Sequence, residues 1–477
     1  MLRPHFAAIF AVLIYVTAYG IAPASANFRE LVDAVAAGDA ARVDALFAQG
    51  EDPSLDGFTG RIEATPMMIA AHRGDTAMAR RLVRHGMDVD FRDRGGDRAL
   101  QWAVRRDDET ALRVLLAAGA APTLASDATG EEALIEAIQS GRHHLARRLI
   151  DAGATVDGTH YSGPSPLHAA ARWGRYSTLA AELIALGADP AGVDAATGET
   201  PLHVAAGYDH PDTVRLLADA GTPVDARDDA GRTALFVAAS RGLLANVRIL
   251  LDAGADPDAE TAEKLSSLLA AVENLDHGHG DHEAVARLLV PVSRDRDRAL
   301  AAALRAGNAE LSMLLLDHGA DTNAVDRRGR PALAAAVHVE DIALFDRLVA
   351  SGADISRFGL DVLYEAATVG RADIVHRLLG KGLDPNGRLV ELPAPIVTAA
   401  AAGHVDVVET LIVAGARHDR IELIGAMHRR TGLLIDEIES RRASRAYRPV
   451  DGLYAEIDRL SDRHAAIRRL LADDDRR

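Results

Sequence analysis

The sequence contains no cysteine among its 477 residues. Disulfide bonds, thiolate nucleophiles, iron–sulfur clusters and cysteine-ligated zinc are therefore excluded. Aromatic residues make up only 4% of the chain, which argues against an all-β sandwich because strands favour bulky aromatic side chains. With 48% hydrophobic residues, the composition instead predicts a core of alanine, leucine and valine between closely packed helices.

Lysine is almost absent, with only Lys264 and Lys381, so arginine carries nearly all of the positive charge. The formal net charge is −17. A protein that binds a nucleic-acid backbone needs a basic face to neutralise the phosphates, so we expect no nucleic-acid partner. Long apolar runs are also scarce. After the first 26 residues no segment is apolar enough to cross a bilayer, so we expect no stable membrane insertion of the mature chain.

The first 26 residues have the pattern of a signal peptide. Arg3 supplies a short positive start, Phe6–Tyr19 is an almost unbroken apolar run, and Ala24–Ala26 are small residues suited to a cleavage site. The apolar run is shorter than the roughly 20 residues that span a bilayer, so cleavage before Asn27 is favoured over an uncleaved anchor. The pattern predicts an exported protein, either periplasmic or secreted.

A short phrase recurs along the rest of the chain: two apolar residues, two or three others, and then a glycine. Between residues 86 and 254 the glycines are spaced by 33 or 34 residues, which is the signature of a repeat architecture. We count about 12 repeats between residues 27 and 418. The glycines are Gly50, Gly86, Gly119, Gly153, Gly187, Gly221, Gly254, Gly319, Gly352, Gly382 and Gly415.

Each repeat carries helix signals at fixed places. The clearest are Thr200-Pro201-Leu202-His203 and Ser165-Pro166-Leu167-His168. The hydroxyl group caps the free amides of the coming helix, and proline suits the first helical position because it has no amide to leave unpaired. A glycine ends this first helix, a second short helix follows, and the repeat's own glycine ends the second helix in a left-handed cap.

The period, the Thr-Pro-Leu-His cap and the Gly-Ala-Asp ending, as in Gly187-Ala188-Asp189, resemble the ankyrin repeat. The resemblance implies an all-α ankyrin-repeat solenoid of helix-turn-helix repeats with short finger loops. It implies that His168 and His203 are structural and hydrogen-bond between adjacent loops. It also implies that partners bind to the finger loops and to the exposed face of the first helices.

The repeat pattern divides the chain into segments. We assign residues 1–26 to the signal peptide, 27–254 to a regular stack, 255–318 to degraded repeats with a histidine-rich insertion, and 319–418 to further repeats. Residues 419–477 lack the glycine rhythm and contain two amphipathic helical stretches. Since a solenoid needs an end cap with a polar outer face, we interpret them as a two-helix C-terminal cap. A coiled-coil assembly element is the alternative.

One cluster could bind a metal ion. His277, His279 and His282 lie in the glycine-rich insertion with Asp281, and imidazole nitrogens with a carboxylate are suitable zinc ligands. The alternative is a solvated polar insertion between helices. We find no His-Glu-x-x-His motif, no serine elbow and no phosphate-binding loop around either lysine. The sequence therefore predicts no catalytic residue and no cofactor.

The candidate partner surface is a column at the end of the first helices, where residues of successive repeats stack. Arginine, tryptophan and tyrosine are the residues most often found as interface hot spots, and the column is rich in them from the second to the seventh repeat. We also include four residues of the finger loops. The column residues are Arg73, Arg105, Arg106, Arg172, Trp173, Tyr208 and Arg241, and the finger residues are Arg92, Arg94, Arg227 and Asp228.

These observations predict a non-catalytic scaffold or regulator that binds an unidentified partner protein outside the cytoplasm. Two alternatives remain open: a metal-dependent protein centred on His277, His279 and His282, and an effector delivered into a host cell. A purely structural rod whose tail self-associates is a third. The sequence leaves the oligomeric state open.

Overall fold

The computed structural model describes residues 26–49, 65–90, 98–123, 133–157, 164–173, 177–275, 280–326, 329–389, 392–417, 419–443 and 451–474. Residues 1–25 of the predicted signal peptide lie outside this set. The described elements are helical, apart from an isolated bridge between Val325 and Pro331. None of the described helices is both long and apolar enough to cross a bilayer. The predicted all-α repeat architecture is confirmed.

The chain divides into two compact units, and the first comprises Met1–Ala238 with Ala245–Asp256. Repeats 1 to 4 are the helix pairs α1 (Ala26–Ala37) with α2 (Ala40–Ala48), α3 (Pro66–His72) with α4 (Thr76–Arg84), α5 (Ala99–Arg105) with α6 (Glu109–Ala118), and α7 (Ala133–Gln139) with α8 (His143–Asp151). Repeats 5 to 7 are α9 (Pro166–Arg172) with α10 (Ser177–Ala185), α11 (Pro201–Ala206) with α12 (Pro211–Asp219), and α13 (Ala234–Ser240) with α14 (Leu244–Asp252).

The second unit comprises Ala239–Leu244 and Pro257–Arg477. Repeats 8 to 10 are α15 (Ser267–Glu273) with α16 (His282–Leu289), α17 (Arg296–Arg305) with α18 (Ala309–Asp317), and α19 (Ala332–Ala335), continued by a 3₁₀ turn (Ala336–His338), with α20 (Ile342–Ala350). Repeats 11 and 12 are α21 (Ile355–Val369) with α22 (Ala372–Gly380), and α23 (Pro395–Ala402) with α24 (Val405–Val413). The described residues thus hold twelve pairs, as predicted, and a C-terminal pair follows, α25 (Arg420–Ala443) with α26 (Asp451–Asp474).

Within each unit the helices form two layers. First helices contact the first helices of the neighbouring repeats, and second helices contact second helices. The first-helix layer is built largely from alanine, and Ala70, Ala103, Ala137 and Ala170 are fully buried in successive repeats. Small side chains let the helix axes approach closely. Because most of these helices have only about two turns, they are marginal in isolation and depend on this packing.

The turn between the two helices of a repeat often contains a left-handed residue. Gly74, Gly141 and Gly242 occupy this place with φ values of 74°, 76° and 68°. In repeat 3 the place is taken by Asp107, with φ of 55°, one of two non-glycine residues in the described chain with positive φ. Aspartate tolerates this conformation better than most residues, because its short polar side chain can bond locally. The predicted glycine turns are therefore present in these repeats, with Asp107 as an exchange in repeat 3, whereas the turns of repeats 6 and 10 contain no residue with positive φ.

The histidine of the Thr-Pro-Leu-His motif bridges neighbouring repeats. In repeat 5 the Ser165 amide donates to His168 Nδ1 over 3.2 Å. This nitrogen is therefore an acceptor, and Nε2 donates to the Glu199 carbonyl of the next repeat over 3.0 Å. His203 makes the same pair of bonds, from the Thr200 amide at 3.2 Å and to the Arg232 carbonyl at 2.9 Å. Both rings are buried, as the structural interpretation requires.

The C-terminal pair continues the stack of the second unit. Helix α25 packs on α23 and helix α26 packs on α24, so the pair extends both layers. Leu423 and Met427 on α25, and Ile467 and Leu471 on α26, are buried. His464 Nε2 lies 3.2 Å from the Ala401 carbonyl at the end of α23. These buried positions fit an end cap on the last repeat, whereas Ile421, Leu433 and Ile435 of α25 are exposed.

Two glycines with similar φ give a matched test of the turn geometry. A Cβ atom on Gly242 would lie 2.7 Å from the Asp281 amide nitrogen, whereas one on Gly254 would meet nothing within 4 Å. We expect Gly254→Ala to lower the free energy of unfolding by about 1–2 kcal/mol through backbone strain alone. Gly242→Ala should cost about 1–3 kcal/mol more, because backbone must move. Urea unfolding followed by circular dichroism measures both, and equal losses would contradict this account.

Burial lowers the pKa of His168 below its ordinary value of 6.5, and this makes stability depend on pH. Above about pH 6.5 the ring is neutral in both folded and unfolded chains, and its full contribution is present. As the pH falls below that value, only the unfolded chain takes up the proton, so the free energy of unfolding decreases until the lowered pKa is reached. We therefore expect the wild type to lose stability between about pH 7.5 and pH 5.5.

The matched variants separate His168 from other titrating groups. His168→Gln should be less stable than the wild type at about pH 7.5, by about 1–2 kcal/mol for its lost hydrogen bonds, and should lose less on acidification. His318→Gln removes an exposed ring and should keep the wild-type pH dependence. Urea midpoints at the two pH values measure both slopes. Identical slopes for His168→Gln and the wild type would refute the assignment.

Candidate functional site

The predicted column lies where the first helices end and the turns to the second helices begin. In the first unit Arg73, Arg105, Arg106 and Arg172 are exposed, and so is Trp173, at 41%. Tyr208 is half-buried. Arg241 is exposed as well, but it belongs to the second unit. The site described below is therefore the part of the column carried by repeats 2 to 6.

Repeats 5 and 6 join an arginine to an aromatic ring. Arg172 Nε donates to the Tyr208 hydroxyl over 2.8 Å, and its guanidinium carbon lies 5.6 Å from the centre of that ring. His210 stacks on the Tyr208 ring, with 6.0 Å between the ring centres and 13° between the ring planes. His210 Nε2 also lies 2.9 Å from the Arg172 carbonyl. The arrangement holds Arg172 in place while leaving it at the surface, with Trp173 next to it.

Repeats 2 and 3 contain a second cluster of this kind, built around Trp102. The guanidinium of Arg106 lies over the Trp102 ring, 4.9 Å from its centre. His72 meets the same ring edge-on at 6.3 Å, and His72 Nδ1 lies 2.7 Å from Asp108. Trp102 was not among the predicted residues. It precedes Arg106 by one helical turn, so the helical period placed it on the same face and could have identified it.

Other column arginines are already engaged. Arg73 donates to the Ala36 carbonyl of repeat 1, and Arg105 Nε lies 2.5 Å from a Glu136 carboxylate oxygen in repeat 4. Exposed ion pairs of this kind contribute little to stability, about 0–1 kcal/mol. They do reduce the charge that is available to a ligand. The two arginines stacked on aromatic rings, Arg106 and Arg172, therefore stand out within the column.

The finger-loop predictions have mixed outcomes. Arg92 and Arg94 lie outside the described residues. Arg227 is exposed and donates to the Gly231 carbonyl of its own loop over 3.0 Å. The assignment of Asp228 to partner binding is wrong, because its side chain is 0% exposed. It accepts from the Arg232 amide at 2.8 Å and from Arg232 Nε at 2.6 Å, so it holds the loop together from inside.

The turns that carry the column are fixed by hydrogen bonds from the following repeat, a feature that the sequence pattern did not predict. A polar side chain near the start of a second helix donates to the last carbonyls of the preceding repeat's first helix. Arg142 reaches the Arg105 carbonyl at 3.1 Å, and Asn246 reaches the Tyr208 carbonyl at 2.6 Å. Such carbonyls have no partner within their own helix, so donors at a helix C-terminus are favourable. The backbone that carries the column is thus fixed both by its own repeat and by hydrogen bonds from the next one.

His282, one of the three predicted metal ligands, makes a structural contact between repeats. This side chain is buried, and its Nε2 lies 3.2 Å from the Ser240 carbonyl, the same kind of contact as those above. This contact uses one ring nitrogen for the fold, and the assignment of His282 as a metal ligand stays a prediction. His277 and His279 lie outside the described residues. Within the residues that the structure describes, no group of three or more histidine, aspartate or glutamate side chains could hold a metal ion.

Comparison with known proteins agrees with this architecture. A family model described as ankyrin repeats matches residues 31–126, 118–194 and 176–261. The chain is 30% identical over 194 residues to human SH3 and multiple ankyrin repeat domains protein 2, which is 40% of this chain and 10% of that protein. It is 34% identical over 126 residues to the nuclear factor NF-kappa-B p105 subunit of Gallus gallus, 26% of this chain and 13% of that protein.

Two further proteins are similar to part of the chain. The chain is 28% identical over 157 residues to an L-asparaginase of Dirofilaria immitis, 33% of this chain and 26% of that protein. The crystal structure of the ankyrin repeat domain of Bcl-3 matches with a TM-score of 0.39 and 29% identity, over 44% of this chain and 94% of that one. The chain spans 10% to 18% of the length of the first three curated relatives, so the likeness concerns their repeats and not the whole proteins.

Proposed function

Because the chain carries ankyrin repeats over residues 31–261, we propose that it is a non-catalytic scaffold or regulator whose first unit binds a partner protein through the column of repeats 2 to 6. Ankyrin repeats are interaction modules, and solenoids of this kind present extended binding surfaces. The fold alone does not choose the surface. The choice rests on the exposed side chains described above.

The observation that carries the proposal is the exposure of large aromatic and arginine side chains on a rigid frame. Trp173 is 41% exposed next to Arg172 in repeat 5, and the guanidinium of Arg106 lies over the Trp102 ring in repeat 3. Burying exposed tryptophan and arginine on a partner gives the largest gains seen at protein interfaces. Holding them in place beforehand reduces the entropy cost of binding. Both conditions are met in the same repeats.

The roles of the histidines support a binding function over a catalytic one. His168 and His203 bridge adjacent repeats, and His210 and His282 contact carbonyl oxygens at the ends of first helices. Each of these rings has a structural contact that explains its place. A general base or a metal ligand would instead need a nitrogen directed at a substrate or an ion.

A triple variant tests the surface. We expect Arg106→Ala, Trp173→Ala and Tyr208→Ala together to abolish capture of the partner from the native extract. Hot-spot residues cost about 2 kcal/mol or more each when truncated, so the affinity should fall at least about 100-fold. The far-ultraviolet circular dichroism of the variant should match the wild type, because Arg106 and Trp173 are exposed and Tyr208 is only half-buried.

The control removes exposed side chains from two second helices and, at Leu186, from the residue that follows a third. Arg113→Ala, Leu186→Ala and Arg248→Ala change exposed residues away from the column and should leave capture intact. Undiminished capture by a folded column variant would refute the proposed surface. Equal losses for both triple variants would show that binding does not depend on the column.

We further propose that the chain acts outside the cytoplasm, on the support of the N-terminal sequence. The apolar run Phe6–Tyr19 and the small residues Ala24–Ala26 form an export signal in the pattern of a cleavable peptide. Delivery into a host cell is the competing destination.

Fractionation of cells that express a C-terminally tagged chain tests export. We expect the protein in the periplasm or medium, with a mature N-terminus at Asn27 by mass spectrometry, because cleavage follows the small residues. Deleting residues 2–26 should retain it in the cytoplasm. A full-length chain that stays in the cytoplasm would contradict export, and recovery from host cells would favour the effector alternative.

A further inference from the structure

Two arginines of the column keep hydrogen-bond donors for a ligand. Arg106 stacks on Trp102, and within the described residues its guanidinium group has no ion pair and no hydrogen bond. Arg172 uses Nε for the Tyr208 hydroxyl, and the described residues provide no acceptor for its two terminal nitrogens. Each arginine is held by an aromatic ring and still has N–H groups to donate.

Stacking sets the way in which these arginines can bind. A guanidinium that lies over an aromatic ring turns one face to the ring, and its N–H groups, which lie in its own plane, can still donate to an acceptor beside the ring. These N–H groups match the two oxygens of a carboxylate in a bidentate contact. A carboxylate on a ligand would therefore complete either site chemically.

The acidic residues beside Arg106 form no ion pair with its guanidinium group. Asp107, Asp108 and Glu109 line, with Arg106 and His72, a cavity of ≈ 530 Å³. Asp107 lies 3.5 Å from Arg142, and Glu109 lies 3.1 Å from Arg148, both in repeat 4.

Asp108 has its own partners as well. It caps α6 by accepting from the Ala111 amide at 2.9 Å, and it contacts His72 at 2.7 Å. All three carboxylates are thus compensated by other groups. The guanidinium of Arg106 remains the donor without a counterpart.

The two sites belong to repeats 3 and 5, which are two steps apart in one unit. Neighbouring helices pack about 8–10 Å apart, so the sites are separated by about 16–20 Å. An extended chain advances about 3.3 Å per residue, so this distance corresponds to five or six residues. Side chains of an extended chain alternate between its two faces, so only an even spacing presents both to the column.

We propose that the column binds an extended segment of its partner that carries two carboxylate side chains six residues apart. One carboxylate pairs with Arg106 over Trp102, and the other pairs with Arg172 beside Tyr208. Trp173 then packs against the segment next to the second site. This inference rests on the proposed binding function and adds the chemistry and spacing of the ligand.

Labelled peptides of defined spacing test the inference directly. Each peptide has about thirteen residues, consists of serine and threonine, and contains two glutamates placed two, five, six or ten positions apart. Fluorescence anisotropy with the full chain measures the affinity. We expect the spacing of six to bind at least about five-fold more tightly than the other three, which carry the same charge and can reach only one site.

Four variants separate the sites from general charge effects. Arg106→Ala and Arg172→Ala should each lower the affinity for the six-spaced peptide about ten-fold and remove the dependence on spacing, as expected for loss of a bidentate contact. Arg106→Lys keeps the charge but not the planar stacking, so it should also lose most of the preference. Arg113→Ala removes an exposed charge from the second helix of repeat 3 and should leave the affinity unchanged.

The outcomes distinguish this inference from the binding function on which it depends. Equal affinity at every spacing, or an Arg106→Ala variant that binds like Arg113→Ala, would overturn the two-carboxylate ligand. If partner capture still depends on the column in that case, the binding function stands and the ligand has different chemistry. If capture is also unaffected by the column variant, the binding function itself fails.

Discussion

The structure depends on the packing of one short helix against the same helix of the next repeat. Most of the helices have only about two turns, and such helices do not persist alone in water. Leucines such as Leu115 and Leu149 are fully buried between repeats, and the alanines of the first helices allow their axes to approach. Stability is therefore a property of neighbouring repeats and not of any single one.

Polar contacts follow the same rule, and they connect the fold to the candidate site. The short first helices end with carbonyl groups that lack partners of their own. In repeats 3, 5 and 6 the next repeat supplies a donor, from Arg142, His210 and Asn246 respectively. These donors fix the turn that carries Arg105, Arg172 and Tyr208. The surface that we propose for binding is thus an outcome of how the repeats complete one another.

The sequence predicted what is encoded by a recurring local signal. Glycine turns and the Thr-Pro-Leu-His cap have the same residue at the same place, so the helix pairs and the role of His203 could be inferred. The carbonyl donors could not, because arginine, histidine and asparagine perform one task at that place. Asp228 was misassigned because its burial depends on how the loop folds back to Arg232. Trp102 was missed because the predicted column comprised only the ends of the first helices, and Trp102 lies one helical turn before Arg106.

The charge of the chain bears on how selective such a surface is. A net charge of −17 repels an acidic ligand at long range, although salt screens this repulsion beyond about 8 Å under physiological conditions. Attraction must then come from short contacts at particular arginines. Pairs such as Arg105 with Glu136 and Arg148 with Glu109 neutralise much of the local positive charge. A surface organised in this way does not attract anions in general. It binds most tightly a ligand whose carboxylates match the positions of the few guanidinium groups with free donors. Such matching contributes more to specificity than to affinity.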